Sequence, residues 1–137
     1  WFLENILTHP TSSITCVDHF FRSEVRFDDN IKVSGLSGKV TKIKGMSENV
    51  LRTLKESSFD IVYIDGSHLA LNVLMDAVSS WLLLKPRGII ILDDYGWRPE
   101  RAPENRPKMA IDIFLKAFQP HIEILHKGYQ VIIRRTS

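Results

Sequence analysis

Apolar and polar positions change rhythm along the chain, and each rhythm marks an element. Residues 1–7, "WFLENIL", read as an amphipathic helix. "SSITCVDHF" (12–20) alternates and is β-branched, as a strand should be. The polar stretch "FRSEVRFDDNIKVSGLSG" follows, and its first part is read as a short helix or a loop. "KVTKIKG" (39–45) sets Val40 and Ile43 among lysines and predicts a strand. "SENVLRTLKES" (47–57) predicts a helix with Ser47 as N-cap and Val50, Leu51 and Leu54 as its apolar stripe. "FDIVYIDG" (59–66) is a short apolar run that ends in Asp-Gly. "ALNVLMDAVSSWLLL" (70–84) predicts a helix, with Leu71, Leu74, Met75, Val78 and Leu82 near a period of 3.6. "KPRG" (85–88) predicts a turn into "IIILDD" (89–94), the most continuous apolar strand. "GWRPERAPENRP" (96–107) holds three of the six prolines and reads as a long exposed loop. An amphipathic helix, "KMAIDIFLKAF" (108–118), comes next, and then two strands in 122–135 joined around Lys127-Gly128.

Strands alternating with helices predict an α/β fold: an open, doubly wound, mainly parallel sheet closed by an antiparallel hairpin. Runs as apolar as "DIVYI" and "IIIL" fit strands covered on both faces. With 137 residues, one domain covering 1–137 is expected. The chain opens at Trp1, inside its first helix and without a capping residue, so a piece of a longer protein is expected. A net charge of +2 makes no case for nucleic acid. "KVTKIKG" and "IIRRTS" are basic, but neither interleaves aromatic residues with its charges, which argues against a nucleic-acid target. The lone Cys16 reads as a small buried hydrophobe in a reducing, cytoplasmic setting. No apolar run is long enough for a membrane span.

Acids fall at the carboxyl ends of three predicted strands: Asp18, Asp65, and the pair Asp93 and Asp94. In a parallel sheet those ends share a rim, and neighbouring strands lie about 4.8 Å apart. Asp65 precedes the pair by 28 and 29 residues, close to one strand-helix-strand unit of roughly 30. Two carboxylates about 4 Å apart repel by about 4 kcal/mol at an effective dielectric near 20. Such a group must hold a proton, find cations or bind an oxygen-loving divalent metal such as Mg²⁺. The alternative is one acid capping the next helix while the others are solvated or paired with Arg87 or Arg98. His68, three residues past Asp65, reads as a general base or metal ligand, or else as a surface histidine near a helix start.

The segment "FDIVYIDGSH…LKPRGIIILDDYGWR…PKMAIDIFL" resembles class I S-adenosylmethionine-dependent methyltransferases. It is most similar to the branch with Asp-Gly-x-His and Asp-Asp-Tyr signatures, the metal-dependent O-methyltransferases of the macrocin O-methyltransferase type. That resemblance implies a Rossmann-like sheet, S-adenosylmethionine as cofactor, and Asp65, Asp93 and Asp94 as ligands of Mg²⁺ or another divalent cation. It also implies that Asp18 holds the cofactor's ribose, that Met46 and Ser47 meet its adenine, and that Asp65 borders the cofactor. Trp97 and Arg98 would line the substrate, a small-molecule methyl acceptor. Ser67 stands where that type has an acid base, which leaves His68 as the nearest substitute. Arg87 stands where a glycine is common. The family's first strand and glycine-rich turn are not found ahead of "WFLENIL", which would expose a sheet edge open to homodimerisation. A non-catalytic binding module on the same scaffold is the rival reading. A receiver-like phosphoacceptor is set aside because its acid pair would have to precede the phosphorylated Asp.

Overall fold

A computed structural model describes residues 1–97, 102 and 105–136. The chain divides into two compact units, Trp1–Val50 and Leu51–Ser137.

The first unit holds α1 (Phe2–Asn5), β1 (Ile14–Asp18), α2 (Glu24–Ser34), β2 (Val40–Lys44) and α3 (Ser47–Val50). β1 and β2 pair in parallel, from Ile14 opposite Val40 to Asp18 opposite Lys44. α2 forms the crossover between them, so the stretch expected to be a short helix or loop is an eleven-residue helix. Its five charged residues hide it from apolar periodicity, and none of its residues is buried. Ion pairs bind it to β2 instead: Lys42 Nζ lies 2.7 Å from Asp28 Oδ1 and 3.1 Å from Glu24 Oε1, and Lys44 Nζ lies 2.5 Å from Glu24 Oε2. Exposed pairs of this kind are screened by solvent and add little to stability. Beneath them Phe20, buried at 3% exposure, packs on Phe27 with ring centroids 5.0 Å apart. α2 ends at Gly35, whose φ of 68° is a left-handed cap that glycine adopts without strain. Cys16 is half-buried rather than buried.

The helix expected over 47–57 stops early, as α3 and a 3₁₀ turn at Leu51–Thr53. Asn49 and Val50 donate their amides to the Met46 carbonyl at 3.0 Å each, so Met46 rather than Ser47 holds the cap position. Further on, Ser57 and Ser58 donate to the carbonyls of Leu82 and Leu83 at 3.0 and 2.9 Å. Those carbonyls end a later helix and lack partners within it, and satisfying them draws 57–58 out of helical geometry.

The second unit holds β3 (Phe59–Ile64), α4 (Ala70–Leu83), β4 (Leu84–Leu92), α5 (Pro107–Phe118), β5 (Ile122–Lys127) and β6 (Val131–Arg135). Its sheet runs β3-β4-β6-β5, with β3 and β4 parallel and β6 antiparallel to both β4 and β5. The closing hairpin is as expected, and it is β6, the second strand, that docks beside β4. The core joins Ile64, Ile90, Leu92, Val131 and Ile133 of the sheet to Ala70, Val73 and Ala77 of α4 and Ala110, Ile111 and Phe114 of α5. α5 opens with Pro107 at its first position, where a missing amide costs nothing.

Three expectations are corrected in this unit. On α4, Ala70, Val73, Ala77, Ser80 and Leu83 are buried, whereas Leu71, Val78 and Leu82 of the expected stripe are 68%, 42% and 54% exposed. A helix apolar all round gives periodicity no face to choose, and small residues let α4 approach α5 closely. "KPRG" does not precede β4; it is a bulge within it. Phe59 faces Leu84 and Ile61 faces Ile89, so Lys85–Gly88 stand opposite Asp60 alone. Arg87 takes φ 65°, and Lys85 Nζ reaches both Asp60 oxygens at 2.9 Å. Nor is β3 covered on both faces, since Ile61 and Tyr63 are 44% and 41% exposed.

Candidate active site

Parallel pairing of β3 and β4 puts Ile64 opposite Leu92, so Asp65 and Asp93 leave the sheet at the same end. The Asp93 amide donates to the Ile64 carbonyl at 3.0 Å and carries the pairing one residue further. Asp93 Oδ2 accepts a hydrogen bond from the Tyr63 hydroxyl, and Oδ1 accepts the Asp94 amide at 2.8 Å. Asp94 turns away at φ 57°, a conformation aspartate tolerates better than most residues. Its Oδ1 accepts the Tyr129 hydroxyl at 2.9 Å, and its Oδ2 lies 2.7 Å from His68 Nε2. The His68 ring rests against Trp97, with centroids 4.6 Å apart and planes at 37°.

Asp65 and Asp93 are shifted in opposite directions. Burial, and then the charges of Asp93 and Asp94, raise the Asp65 carboxyl above the ordinary aspartate range, and His68 offsets part of this. Burial also works to raise Asp93, but hydrogen bonds from Tyr63, the Asp94 amide and Gln130 overcome it and hold its carboxyl low. The Tyr63 phenol is pushed up by burial, then by its bond to Asp93 and by the surrounding negative charge. Asp65, Asp93 and Asp94 are thus brought together at one lip, as the strand ends predict.

That gathering is not a finished metal cage. Among the described residues no group of three or more His, Cys, Asp or Glu is arranged to hold a metal ion. Both oxygens of Asp93 and both of Asp94 already accept or face protein donors. A cation would have to displace phenols and an imidazole, so the residues as arranged do not fit the divalent ion that the resemblance implies.

Of the expected substrate residues, Trp97 is at the site and Arg98 lies outside the described residues. Ser67 accepts the Leu69 amide at 3.2 Å and the Asn72 amide group at 3.1 Å, which makes it a local turn holder at the start of α4. Behind the acids, the Tyr95 hydroxyl donates to Asp112 Oδ1 at 3.0 Å. Lys108 and Lys127 lie over the Tyr95 ring at 4.6 and 5.0 Å from its centroid. This anchors the loop after β4 to α5 and to the hairpin. Sequence reasoning missed Tyr63, Tyr129 and Gln130. Their only signal is position: a tyrosine two residues before Asp65, and a Tyr-Gln pair just past the hairpin glycine.

The cofactor candidates of the first unit share one end of its two-stranded sheet. Gly45 donates to the Asp18 carbonyl at 2.9 Å, which joins the end of β1 to the turn bearing Met46 and Ser47. Asp18 Oδ1 accepts the Phe20 amide at 3.0 Å, and the side chain is 47% exposed. Met46 is 50% exposed. An exposed carboxylate with one oxygen engaged, beside an exposed thioether, fits a ligand that offers vicinal hydroxyls and a flat apolar ring. Asp65, the fourth cofactor candidate, belongs to the lip of the second unit.

A family model described as a methyltransferase domain matches residues 1–95. No curated protein matches the chain. Among solved structures, the O-methyltransferase TomG from Streptomyces achromogenes in complex with SAM is similar at TM-score 0.74 and 14% identity, over 94% of this chain and 64% of that one. An O-methyltransferase from Bacillus cereus in complex with SAH is similar at TM-score 0.72 and 16% identity, over 90% and 62%. The SAH-bound methyltransferase PaMTH1 from Podospora anserina is similar at TM-score 0.65 and 23% identity, over 91% and 61%. The chain therefore has the Rossmann-like α/β fold of these proteins and spans 61–64% of their length.

Proposed function

The chain belongs to the methyltransferase-domain family whose model its residues 1–95 match, and from that premise we propose that it serves S-adenosylmethionine-dependent methyl transfer to the hydroxyl oxygen of a small molecule. The family model crosses the boundary at Val50, which supports reading both units as parts of one methyltransferase domain. When bound, S-adenosylmethionine supplies an electrophilic methyl group. Asp18 would hold its ribose hydroxyls, and Met46 and Ser47 its adenine.

The observation that carries the reading is the His68–Asp94 pair. A contact of 2.7 Å between Nε2 and a carboxylate requires the proton on Nε2. Nδ1 of the neutral ring is then a lone-pair acceptor, and among the described residues it has no partner. His68 can take the acceptor's hydroxyl proton through Nδ1 as the oxygen attacks, and Asp94 steadies the imidazolium that forms. Trp97 fixes the ring from one side and supplies an apolar wall for the acceptor. No step is routed through a metal, because the acids as placed do not fit one.

Calorimetry with S-adenosylmethionine tests the cofactor reading: heat of binding and a thermal shift are expected, and neither would appear for a module without cofactor. Methyl transfer should fall about 10²- to 10⁴-fold in His68→Asn, the usual contribution of a positioned base. Unchanged turnover overturns the base assignment. Turnover is also expected to survive a chelator, and loss that Mg²⁺ restores would reinstate the cation.

A further inference from the structure

We propose that Tyr129, at the tip of the β5–β6 hairpin, is a positioning residue for the His68–Asp94 pair. Its place follows from strand register. β4 and β6 run antiparallel with Leu92 opposite Val131. Continuing past that pair, Asp93 meets Gln130 and Asp94 meets Tyr129, so the ladder carries on as side-chain pairs where backbone pairing ends. Tyr129 donates to Asp94 Oδ1 at 2.9 Å, and Gln130 Nε2 donates to the Tyr63 hydroxyl at 3.3 Å, the phenol that itself bonds Asp93.

The tip is seated by close contact. Gly96 donates its amide to the Tyr129 carbonyl at 2.9 Å. A Cβ on Gly96 would stand 2.8 Å from Tyr129 Cδ2 and 3.0 Å from its Cα, so the tyrosine lies against a position only glycine can fill. Tyr129 is itself 56% exposed, so its burial does not explain why its hydroxyl is aimed at a carboxylate. What the bond does is divide the labour of Asp94. With Oδ1 taken by the phenol, the carboxylate cannot rotate freely, and Oδ2 stays on His68 Nε2. The imidazole is then held through Nε2, which leaves Nδ1 as its acceptor nitrogen. The catalytic consequence rests on the proposed base role of His68; the geometric claim does not.

Proton NMR of the imidazole N–H groups separates the two. The chain should show a downfield, slowly exchanging His68 Nε2–H resonance, identified by its loss in His68→Asn. In Tyr129→Phe, which keeps the ring on Gly96, that resonance should move upfield and exchange faster. Gly96→Ala, which displaces the ring but keeps the hydroxyl in the chain, should give the same change. In turnover, kcat of Tyr129→Phe should drop about tenfold with KM for the acceptor unchanged, as for a misaimed group. An absent native resonance, or one identical in Tyr129→Phe, overturns the proposal. An altered resonance with no methyl transfer in any variant, wild type included, supports the positioning role and counts against the proposed activity.

Discussion

Asp65, Asp93 and Asp112 show how far one residue type is set by its neighbours. Asp93 and Asp112 are both subject to burial that raises them and to hydrogen bonds that more than compensate, from Tyr63 for the first and from Lys108 and Tyr95 for the second. Their lowered carboxyls stabilise the fold fully above the ordinary aspartate value of about 3.9, and that stability is lost as pH falls through the depressed values. Asp65 has the opposite sign, because its folded carboxyl keeps a proton to higher pH than the unfolded chain does. Its contribution is full below about 3.9 and is lost as pH rises through the raised value. Asp65→Asn should therefore raise the melting temperature at pH 7 and leave it unchanged near pH 3; a lowered Tm at pH 7 would contradict the assigned burial and repulsion. Arg87 offers a second single-residue test. At φ 65° a side chain with a Cβ is strained. Arg87→Gly should stabilise the chain by up to about 1 kcal/mol in urea denaturation, the strain relief being partly offset by the greater freedom of unfolded glycine.

Between elements, side-chain size chose what polarity left open. α4 is apolar on nearly every face, and Ala70, Val73 and Ala77 meet the core while Leu71 and Leu82 stay exposed. Ala77 is 1% exposed, so Ala77→Leu should overpack the α4–α5 contact and cost about 1–3 kcal/mol. Leu82→Lys, at 54% exposure, should change stability by less than about 0.5 kcal/mol. The reverse order in chemical denaturation would mean that the helix presents its other face to the core. The hairpin is the clearest success of pattern reading at this scale, since Lys127-Gly128 marked its turn. α2 was legible only as a short helix or a loop, because ion pairs rather than a buried apolar stripe bind it to β2.

Across the whole molecule, apolar burial is unequal. Phe20 is the one fully buried large apolar residue described in Trp1–Val50, whereas Leu51–Ser137 holds a continuous core with Ile90, Leu92, Ile111, Phe114 and Ile133 at 0%. Amide exchange should accordingly be faster in β1 and β2 than in β4 and β6, since local opening is cheapest where least apolar surface is exposed by it. Equal protection in hydrogen-exchange mass spectrometry would refute that ranking. Phe114→Ala should cost about 3–5 kcal/mol, because a fully buried ring packed against Phe118 and Trp81 is removed and a cavity is left.

The order of strands and helices, the hairpin, and the gathering of Asp65, Asp93 and Asp94 at one lip were legible from the sequence. Each depends on chain-local rules: apolar period, turn residues, and the fact that parallel strands end together. The partners of those acids were not legible. Tyr63, Tyr129 and Gln130 come from 30 to 67 residues away in their hydrogen bonds, and only the register of β6 beside β4 aims the hairpin tip at them. Long-range pairing also decided which face of α4 is inside and whether the acids are free for a cation or already engaged by phenols and an imidazole. Local pattern fixes what an element is; packing between distant elements fixes which atoms it meets.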